Sequence, residues 1–501
     1  MKYFSVYRKK DFFLYKKNIL KIFNLTNSDL IEKIAKNILL NINHRYPFIK
    51  KVAIFCGSSF NATYGYMLAK FAYESGYSVV IYQCNLFKPI SLLIQKLMLN
   101  KFRINFIYKT IDDCIDSNID LIIDALIGID NSDKDFSINI KKMSNIINKI
   151  NNSLLPVISL DIPSGIDVDT GCIFQCGAIK STLTITFLAI KLGLLILDGP
   201  DYCGKIICIS FQSNYIYSDV KPTVYLLNNY LYKDIIFLKR KKNSHKGLFG
   251  RVLIIGGNYG MPGSVYLSAK AALRVGAGSV IVFTRSEYVN QFSFNLPEVM
   301  VYSFKDILQF IKLMKKSTVC IIGPGLTEDT WTRFLFSKVL LSNIATVVDA
   351  SALQVLSKFK NCYKNNWILT PHVGEAASLL SCTVKEIQSD RYKALKRIKD
   401  KYGGAIILKG YDTLIYTDKE DIPYLCCEGN PGMASSGMGD VLSGVLGGLL
   451  SQGLSIRDSV ILGVWIHGIS GSQAAFINGE RGLLASDLMF WLQKNINLFN
   501  R

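Results

Sequence analysis

From about residue 50 onward, short and almost continuously apolar runs alternate with longer amphipathic segments. Such an apolar run predicts a strand that is buried on both faces, and the amphipathic segments predict helices that cover those faces. The strands predicted in the first half are residues 52–56, 79–83, 105–108, 121–125, 157–162 and 182–187. The pattern therefore predicts the α/β class, with a parallel sheet between two layers of helices.

A second alternation of the same kind starts at residue 252, after strand patterning lapses around residues 213–250. Its predicted strands are residues 252–257, 279–284, 319–325, 346–350, 367–372 and 405–410. Three helical stretches, residues 440–451, 458–477 and 484–495, close the chain. Because an irregular, basic stretch separates two alternations, we predict two domains, residues 1–220 and residues 221–501.

Strands of the second half end in glycine or polar turns, which is where ligands bind to sheets of this class. The turns are residues 256–263, 323–325, 370–372 and 409–410. Each turn alone is common structure, because glycine turns join many strands to helices and a lone histidine is more often structural. Their number, together with the motif described next, favours a binding site.

The motif Gly437-Met438-Gly439-Asp440 leads directly into an apolar helix. A helix start offers unpaired N–H groups and a partial positive charge to an anion, so Gly437, Met438 and Gly439 are predicted to form an anion hole. Asp440 beside a phosphate makes sense as a base that takes a proton from a hydroxyl attacking phosphorus. An ordinary helix start with an N-terminal aspartate is the alternative for the motif alone.

The composition limits the classes of partner. The net charge is +20, but the lysines are dispersed along the chain, so we predict no nucleic-acid binding. Twelve cysteines without Cys-x-x-Cys spacing and four histidines without metal spacing favour free thiols and disfavour a zinc site. No uninterrupted apolar run reaches the length of a membrane helix, and residues 1–17 lack a signal-peptide core. We predict a cytoplasmic protein that does not bind membranes; an organellar presequence at residues 1–17 stays open.

Three of the turns, at residues 323–325, 370–375 and 409–410, and the segment 430–440 together resemble the ADP-dependent NAD(P)H-hydrate dehydratase family. The match covers essentially all of residues 225–501. The resemblance implies a ribokinase-like fold and the repair of NADHX and NADPHX, whose nicotinamide has taken up water. In that reaction ADP phosphorylates the added hydroxyl, and loss of phosphate restores NADH or NADPH and leaves AMP. The partners implied are therefore the (S)-hydrates and ADP, with magnesium as a further cofactor.

The same resemblance assigns the site residues of the second half. Asp440 is implied to be the base and to contact the substrate. The hydrate pocket is implied to be lined by Gly263, Gly325 and His372. The residues implied to hold the nucleotide are Lys409, Gly410, Tyr411, Asp412, Thr413 and Gly439. Two positions depart from the family pattern, because Ser351 replaces a carboxylate and Val373 replaces a proline.

In the first half, residues 121–126, 161–165 and 186–193 resemble the NAD(P)H-hydrate epimerase domain, which is Rossmann-like and commonly precedes the dehydratase in bacteria. The match spans about residues 10–220. The resemblance implies interconversion of the R and S hydrates, with Asp161 as the acid/base and as a substrate-binding residue. It also implies a potassium ion held by Asn61, Asp124 and Ser164.

The loop after the first strand departs from the epimerase pattern Gly-Asn-Asn-Gly-Gly-Asp-Gly and runs Ser-Phe-Asn-Ala-Thr-Tyr-Gly at residues 59–65. Ala62 and Thr63 replace glycines and Tyr64 replaces an aspartate, which adds bulk where a phosphate or ribose should approach. Asp130 replaces a glycine and brings negative charge toward a phosphate-bearing substrate. We predict that epimerisation is weakened or lost while the fold is kept. The alternative explanation for the retained potassium ligands is that they shape the turns.

Other classes of function stay open at this point. A ribokinase-like small-molecule kinase would use the same Asp440 on a vitamin or sugar alcohol, with the first domain as a non-catalytic scaffold. The turns at residues 370–372 and 430–433 fit the hydrate family better. The non-enzyme alternative is a basic protein that binds nucleic acid or membrane. We expect the protein to be a homo-oligomer.

Overall fold

A computed structural model describes residues 4–84, 107–110, 114–130, 140–210, 220–228, 240–303, 307–359, 362–417 and 422–498. The chain divides into two compact units, Ser5–Val224 and Tyr225–Arg501, the second of which also includes the first residues of the chain. Each unit is built around its own sheet and core, so the two are described in turn.

The described strands of the first half are β1 (Phe4–Tyr7), β2 (Lys51–Cys56), β3 (Ser78–Gln83), β4 (Ile107–Thr110), β5 (Leu121–Ala125), β6 (Val157–Leu160), β7 (Leu183–Phe187), β8 (Ile190–Lys191) and β9 (Lys205–Ile209). Seven of them form a parallel sheet in the order β4-β3-β2-β5-β6-β7-β9. A short parallel pair joins β1 to β8. Of the strand predicted at 105–108, residues 105 and 106 lie outside the described residues.

Alternate residues of β2 face opposite layers of helices, as expected for a strand that is buried on both sides. The set that includes Ile54 packs in one core with the helices Lys9–Ile22, Asn27–Arg45 and Asn61–Glu74. The set that includes Phe55 packs in a second core with the helix Ile140–Asn151. A short helix, Gly199–Cys203, precedes β9. The predicted α/β class with three layers is confirmed for this half.

The described strands of the second half are β10 (Val224–Leu226), β11 (Arg251–Ile255), β12 (Ser279–Thr284), β13 (Met300–Ser303), β14 (Val319–Ile322), β15 (Ala345–Val348), β16 (Trp367–Leu369), β17 (Ala405–Leu408), β18 (Thr413–Tyr416) and β19 (Tyr424–Cys426). Seven run parallel in the order β13-β12-β11-β14-β15-β16-β17. The strands β17, β18 and β19 are antiparallel neighbours, and β10 pairs with β19 in parallel. The apolar pattern does not predict β18 or β19. The turn that joins β17 to β18 is too short for the crossover that parallel strands need, so this pair is antiparallel.

The helices of the second half are Pro262–Arg274, Val289–Asn295, Ile307–Lys316, Thr330–Leu340, Ser351–Ser357, Val373–Leu380, Val384–Ser389, Arg391–Tyr402, Met438–Ser451, Ile456–Asn478 and Leu488–Asn497. The last helix starts later than the predicted residue 484. A 3₁₀ turn, Ala485–Asp487, precedes it, and Asp487 Oδ2 accepts a hydrogen bond of 2.9 Å from Leu484 N.

The helix Ile456–Asn478 has the length and composition of a membrane span. Its most apolar window is 67% buried, and the helix packs against the helices Met438–Ser451 and Leu488–Asn497. The core helix of a soluble protein passes the same test, so burial in this unit accounts for the apolar composition without a membrane.

Four neighbouring strands of the second sheet end level with one another. Ile255 of β11 pairs with Ile322 of β14, Ile322 with Val348 of β15, and Val348 with Leu369 of β16. The residues that follow these strands are Gly256, Gly323, Asp349 and Thr370. Because the strands are parallel, the predicted glycine and polar turns meet at one edge of the sheet.

Candidate active site

A buried aspartate lies at the carboxyl edge of the second sheet. Asp349 directly follows β15 and is 1% exposed. It accepts hydrogen bonds from Lys409 Nζ at 2.8 Å, Thr370 Oγ1 at 2.7 Å and Ser443 Oγ at 2.5 Å. Burial alone would raise the pKa of Asp349, but the Lys409 ammonium and these hydrogen bonds hold the pKa below its usual value. Asp349 is therefore a fixed negative charge at this edge.

Lys409 directly follows β17 and carries the positive charge of the cluster. Its Nζ lies 2.8 Å from Asp349 Oδ1 and 3.7 Å from Glu375 Oε2. Burial acts to lower the pKa of Lys409, but the neighbouring carboxylates, led by Asp349, raise it above its usual value. Burial raises the pKa of Glu375, and the negative charge of Asp349 adds to this rise. The positive charge of Lys409 acts to lower the pKa. One ammonium is thus shared between two buried carboxyl groups.

Asp440 lies beside this cluster, in the first turn of the helix Met438–Ser451. Burial is the main cause that raises the pKa of Asp440 to about 6, and the negative charge of Asp349 acts in the same direction. A hydrogen bond with Ser264 and the positive charge of Lys409 act against that rise. A carboxyl group with this pKa is mostly ionised at pH 7 and accepts a proton readily, which suits a general base.

The start of the same helix presents backbone donors to this place. Gly437 has a left-handed φ of 90°, and the first bond within the helix runs from Val441 N to Gly437 O. The N–H groups of residues 438–440 therefore precede the helical ladder and are oriented out of the helix start. A Cβ atom on Gly439 would lie 3.3 Å from Lys409 Nζ, so this turn passes directly beside the ammonium. Backbone N–H groups and an ammonium together can hold a phosphate.

A histidine from the next helix supports this turn. His467 Nε2 lies 3.0 Å from Met438 O. Burial lowers the pKa of His467 to about 4, so the imidazole is neutral at pH 7 and Nε2–H donates to the carbonyl. Sequence reasoning does not find His467, because a single histidine in an apolar helix carries no spacing signal.

The predicted nucleotide residues 409–413 form the turn between β17 and β18. Tyr411 is exposed, and Thr413 Oγ1 donates a hydrogen bond of 2.7 Å to Gly410 O. Asp412 is buried, with its Oδ2 atom 2.9 Å from Arg391 Nε. The carboxylate of Asp412 is therefore engaged inside the fold, and a nucleotide contact from this residue would use its backbone.

Two of the residues predicted for the hydrate pocket lie on the side of Ser264. Gly325 has a left-handed φ of 62°, and a Cβ atom there would lie 3.1 Å from Ser264 Cβ and 2.4 Å from Met261 O. Gly263 is exposed, immediately before Ser264, and a Cβ atom there would meet nothing within 4 Å. Because Ser264 is hydrogen-bonded to Asp440, both glycines lie close to the candidate base.

The third predicted pocket residue, His372, lies on the side of Lys409. Its Nδ1 accepts hydrogen bonds from Gly374 N at 2.9 Å and Glu375 N at 3.3 Å, so the imidazole caps the helix Val373–Leu380. The side chain is 59% exposed. The cap uses Nδ1 and leaves most of the ring open to solvent, where it can contact a bound molecule.

Besides His467, the structure adds four side chains to the predicted set: Asp349, Glu375, Ser443 and Ser264. Ser443 lies one helical turn after Gly439, and its hydrogen bond to Asp349 ties the helix to the sheet. The position of Asp349 at the end of a buried strand is a signal that sequence analysis could use. Ser443 and Ser264 carry no such signal, because their roles depend on how two helices pack.

In the first unit, Asp161 follows β6 and is buried in an ion pair with Lys191. Its Oδ1 also accepts hydrogen bonds from Thr186 Oγ1 at 3.0 Å and Phe187 N at 3.1 Å. Lys191 is fully buried and its Nζ lies 4.1 Å from the centre of the Phe12 ring. Burial lowers the pKa of Lys191, and the charge of Asp161 opposes this effect.

A recess beside Asp161 is lined mainly by aromatic and charged side chains. They are Phe12, Phe13, Lys16, Phe60, Asn61, Tyr64, Gly128, Ile129, Asp130, Asp161, Phe187 and Leu188. The segment 59–65, predicted as a loop, is helical from Asn61 onward. Tyr64 is buried, with its ring centre 4.7 Å from that of Phe187 and 5.7 Å from that of Phe60. The residue that replaces the family's aspartate therefore fills space next to the candidate acid/base.

The three predicted potassium ligands are brought together at the carboxyl edge of the first sheet. Asp124 is fully buried and accepts four hydrogen bonds, two of them from Ser164 N at 2.9 Å and Ser164 Oγ at 2.5 Å. Burial raises the pKa of Asp124 against these hydrogen bonds. Asn61 donates through Nδ2 to Leu160 O at 2.8 Å, while its buried Oδ1 has no hydrogen-bond partner within the described part of the chain.

The raised pKa of Asp440 predicts that Asp440→Asn stabilises the protein at neutral and alkaline pH. The folded-state pKa of about 6 exceeds the unfolded value, so the cost of ionising Asp440 is absent at low pH. This cost grows as the pH rises through about 4 to 6 and is complete above that range, with an upper limit of about 3 kcal/mol.

Denaturant unfolding of the wild type and Asp440→Asn at pH 4.5 and pH 8 measures this effect, and we expect the larger gain at about pH 8. Asp458→Asn is the matched control, because Asp458 also lies in the first turn of a long helix. A gain that is equal at the two pH values, or absent at both, would contradict the buried environment assigned to Asp440.

Comparison with known proteins is consistent with this division of the chain. A family model described as NAD(P)H-hydrate dehydratase matches residues 252–494, and a model described as YjeF-related protein N-terminus matches residues 27–193. A ribokinase-like superfamily protein from Enterococcus faecalis aligns with a TM-score of 0.51 and 26% identity, covering 57% of this chain and 99% of its own. The ribokinase-like fold predicted for the second half is confirmed.

Two curated relatives cover nearly the whole chain. The bifunctional NAD(P)H-hydrate repair enzyme Nnr of Coxiella burnetii is 38% identical over 470 residues, which are 90% of this chain and 91% of the relative. The enzyme of the same name from Escherichia coli is 34% identical over 461 residues, 90% of this chain and 86% of the relative. The chain therefore belongs to the family of bifunctional NAD(P)H-hydrate repair enzymes.

Proposed function

We propose that the second half of the chain removes water from (S)-NADHX and (S)-NADPHX at the expense of ADP. The observation that carries this proposal is the meeting of Asp440, Lys409 and the helix-start N–H groups at one edge of the sheet. A base, a cation and backbone donors are the three components that phosphoryl transfer to a hydroxyl requires. Family membership supports the hydrated nicotinamide as the carrier of that hydroxyl.

The reaction assigns each group a defined task. Asp440 takes the proton of the added hydroxyl while the oxygen of that hydroxyl bonds to the β-phosphorus of ADP. The bond from that phosphorus to the bridging oxygen breaks, and AMP leaves. The phosphate ester then loses inorganic phosphate and the ring loses a proton, which restores the dihydropyridine. The helix-start N–H groups of residues 438–440 and the ammonium of Lys409 stabilise the charge of the transferring group.

We propose ligand positions that agree with the same geometry. The nucleotide would lie along residues 409–413 and beside Gly439. The two places are adjacent, since a Cβ atom on Gly439 would lie 3.3 Å from Lys409 Nζ. The hydrated ring would lie between Gly263 and Gly325, which are close to Ser264, and His372, which is close to Glu375. We propose these positions as binding roles.

The donor set fits magnesium only if the ion is carried in by the nucleotide. Among the described residues, no group of three Asp, Glu, His or Cys side chains converges on one point. Asp349 already accepts hydrogen bonds from Lys409, Thr370 and Ser443. Magnesium keeps several waters and is usually held by one or two carboxylates together with substrate phosphates. We propose that the phosphates of ADP supply most of its ligands here.

The residues of the first unit fit a potassium ion. The buried Asn61 Oδ1 atom is an acceptor whose partner a cation would supply. A monovalent cation would also offset the charge of Asp124, whose pKa burial raises. We propose that Asn61, Asp124 and Ser164 hold this ion and thereby fix the turns around Asp161.

Asp440→Asn is expected to lower the rate of NADH recovery from (S)-NADHX and ADP by about 10²–10⁴-fold, because the amide accepts no proton. ADP affinity should change little, and NADH absorbance together with calorimetric ADP binding measures the two effects. Asp458→Asn, a first-turn aspartate of another helix, should keep wild-type rates. Comparable rates for Asp440→Asn and the wild type would exclude Asp440 as the base.

Phosphorylation of a vitamin or sugar alcohol without NADH recovery would favour the kinase alternative.

We propose further that epimerisation by the first unit is weakened or lost. Tyr64, Phe60 and Asp130 line the recess beside Asp161, and the two aromatic rings pack edge to face there. Bulk and negative charge there oppose a substrate that carries phosphates. The first unit would then serve mainly as a scaffold.

The full chain, supplied with ADP, should therefore recover NADH rapidly from (S)-NADHX and slowly from (R)-NADHX, because only spontaneous epimerisation feeds the dehydratase. Addition of an active epimerase from a relative should make the two rates equal, which would show that epimerisation limits the rate from (R)-NADHX in the unsupplemented reaction. Equal initial rates from the two hydrates without this addition would show that the first unit is an active epimerase.

The cellular setting also remains a proposal. We propose a cytoplasmic homo-oligomer that acts on small molecules and binds neither nucleic acid nor membrane. The dispersal of lysines and the burial of the helix Ile456–Asn478 support this proposal.

A further inference from the structure

We infer that Arg391 is a positioning residue for the nucleotide turn, residues 409–413, and thereby sets the affinity for ADP. This inference rests on the proposed function for the identity of the nucleotide. Arg391 begins the helix Arg391–Tyr402 and is 2% exposed, so its guanidinium lies inside the fold beneath the turn. Arg391 acts on this turn and does not need to touch the nucleotide itself.

The guanidinium of Arg391 holds the turn at several points. Its Nη2 donates to the carbonyl oxygens of Leu408 at 3.4 Å, Lys409 at 3.2 Å and Asp412 at 3.3 Å. Its Nε lies 2.9 Å from Asp412 Oδ2. One buried side chain thus binds both ends of the turn from below, and the ion pair with Asp412 balances its charge.

Gly410 allows this close approach. A Cβ atom at this position would lie 2.6 Å from Arg391 Nη2 and 2.7 Å from Asp412 Oδ1. The glycine is therefore required by the guanidinium beneath the turn. This arrangement gives Gly410 and Asp412 a physical role in nucleotide binding that does not need contact between their side chains and ADP.

The turn controls where the Lys409 ammonium points. Lys409 N donates to Pro371 O at 2.9 Å, and its carbonyl oxygen is held by Arg391. With its backbone fixed on both sides, Lys409 can direct Nζ to Asp349 at 2.8 Å, beside the helix start. A looser turn would still be part of the fold but would present the ammonium and the backbone of residues 410–413 to a phosphate less accurately.

Lysine cannot replace this arginine. One guanidinium nitrogen, Nη2, reaches three carbonyl oxygens while Nε lies beside the Asp412 carboxylate, and an ammonium is a compact point charge that cannot stand at both places. The acceptors that the turn itself offers are three carbonyl oxygens and one carboxylate, so Arg391→Lys keeps the charge and loses most of the contacts with the turn. The variant separates geometry from charge.

The test measures ADP binding by calorimetry and steady-state kinetics with (S)-NADHX, for the full chain and for Arg391→Lys. We expect the Kd and KM for ADP to rise about tenfold or more and the KM for the hydrate to stay within about twofold. The kcat at saturating ADP should fall by a smaller factor than the ADP affinity, because Lys409 also stabilises the transferring phosphoryl group. Arg397→Lys is the matched control, because Arg397 lies on the same helix and is exposed. Thermal melting establishes that each variant is folded.

Asp412→Asn provides the second variant, because it removes the ion pair and keeps the carbonyl contacts. Asp412→Asn should raise the Kd for ADP by less than Arg391→Lys does. If Arg391→Lys does not fold, the Kd of Asp412→Asn alone tests whether the contacts beneath the turn set the affinity for ADP. Unchanged ADP affinity in the folded variants, or a loss confined to kcat, would overturn the inference. If the wild-type protein binds ADP but shows no dehydratase activity, and the variants bind ADP more weakly as expected, the inference is supported and the proposed function is refuted.

Discussion

The ion pair between Asp349 and Lys409 is the interaction on which the rest of the candidate site depends. It joins the ends of β15 and β17, and its hydrogen bonds with Thr370 and Ser443 extend to β16 and to the helix Met438–Ser451. The buried negative charge keeps Lys409 protonated and raises the pKa of Asp440. A protonated lysine and a carboxyl group with a raised pKa are thus maintained within one cluster.

The first unit contains a second buried pair, Asp161 and Lys191, in a different environment. Lys191 is fully buried and also donates to Phe187 O at 2.8 Å, whereas a fifth of the Lys409 side chain is exposed. Aromatic side chains, Tyr64 among them, surround Asp161. The two pairs therefore differ in their lysine, which is partly exposed in the second unit and fully buried in the first. This difference is consistent with the proposal that the first unit is the weaker catalyst.

Sequence reasoning predicts the parts of this molecule that depend on local pattern. Apolar runs predict the parallel strands, and the polar residues that end them meet because parallel strands align their carboxyl ends. Ser443, Ser264 and His467 escape prediction because their contacts depend on helix packing. Arg391 escapes for a related reason: arginine is usually exposed, and only the tertiary fold buries it under the nucleotide turn. The sequence identifies Tyr64 as a departure from the epimerase pattern. It does not predict the helix that begins at Asn61 and fixes the position of the Tyr64 ring.

The most direct test of the central claim is the pH dependence of kcat/KM for the (S)-hydrate at saturating ADP, compared between the wild type and Asp349→Asn. In the wild type the profile should fall below about pH 6, where Asp440 becomes protonated. Removal of the negative charge at residue 349 lowers the pKa of Asp440, so the acid limb of the variant should move to lower pH while the maximal rate falls. ADP titrates identically in both experiments, so the difference reports the protein. An acid limb that stays in place or moves to higher pH would contradict the account.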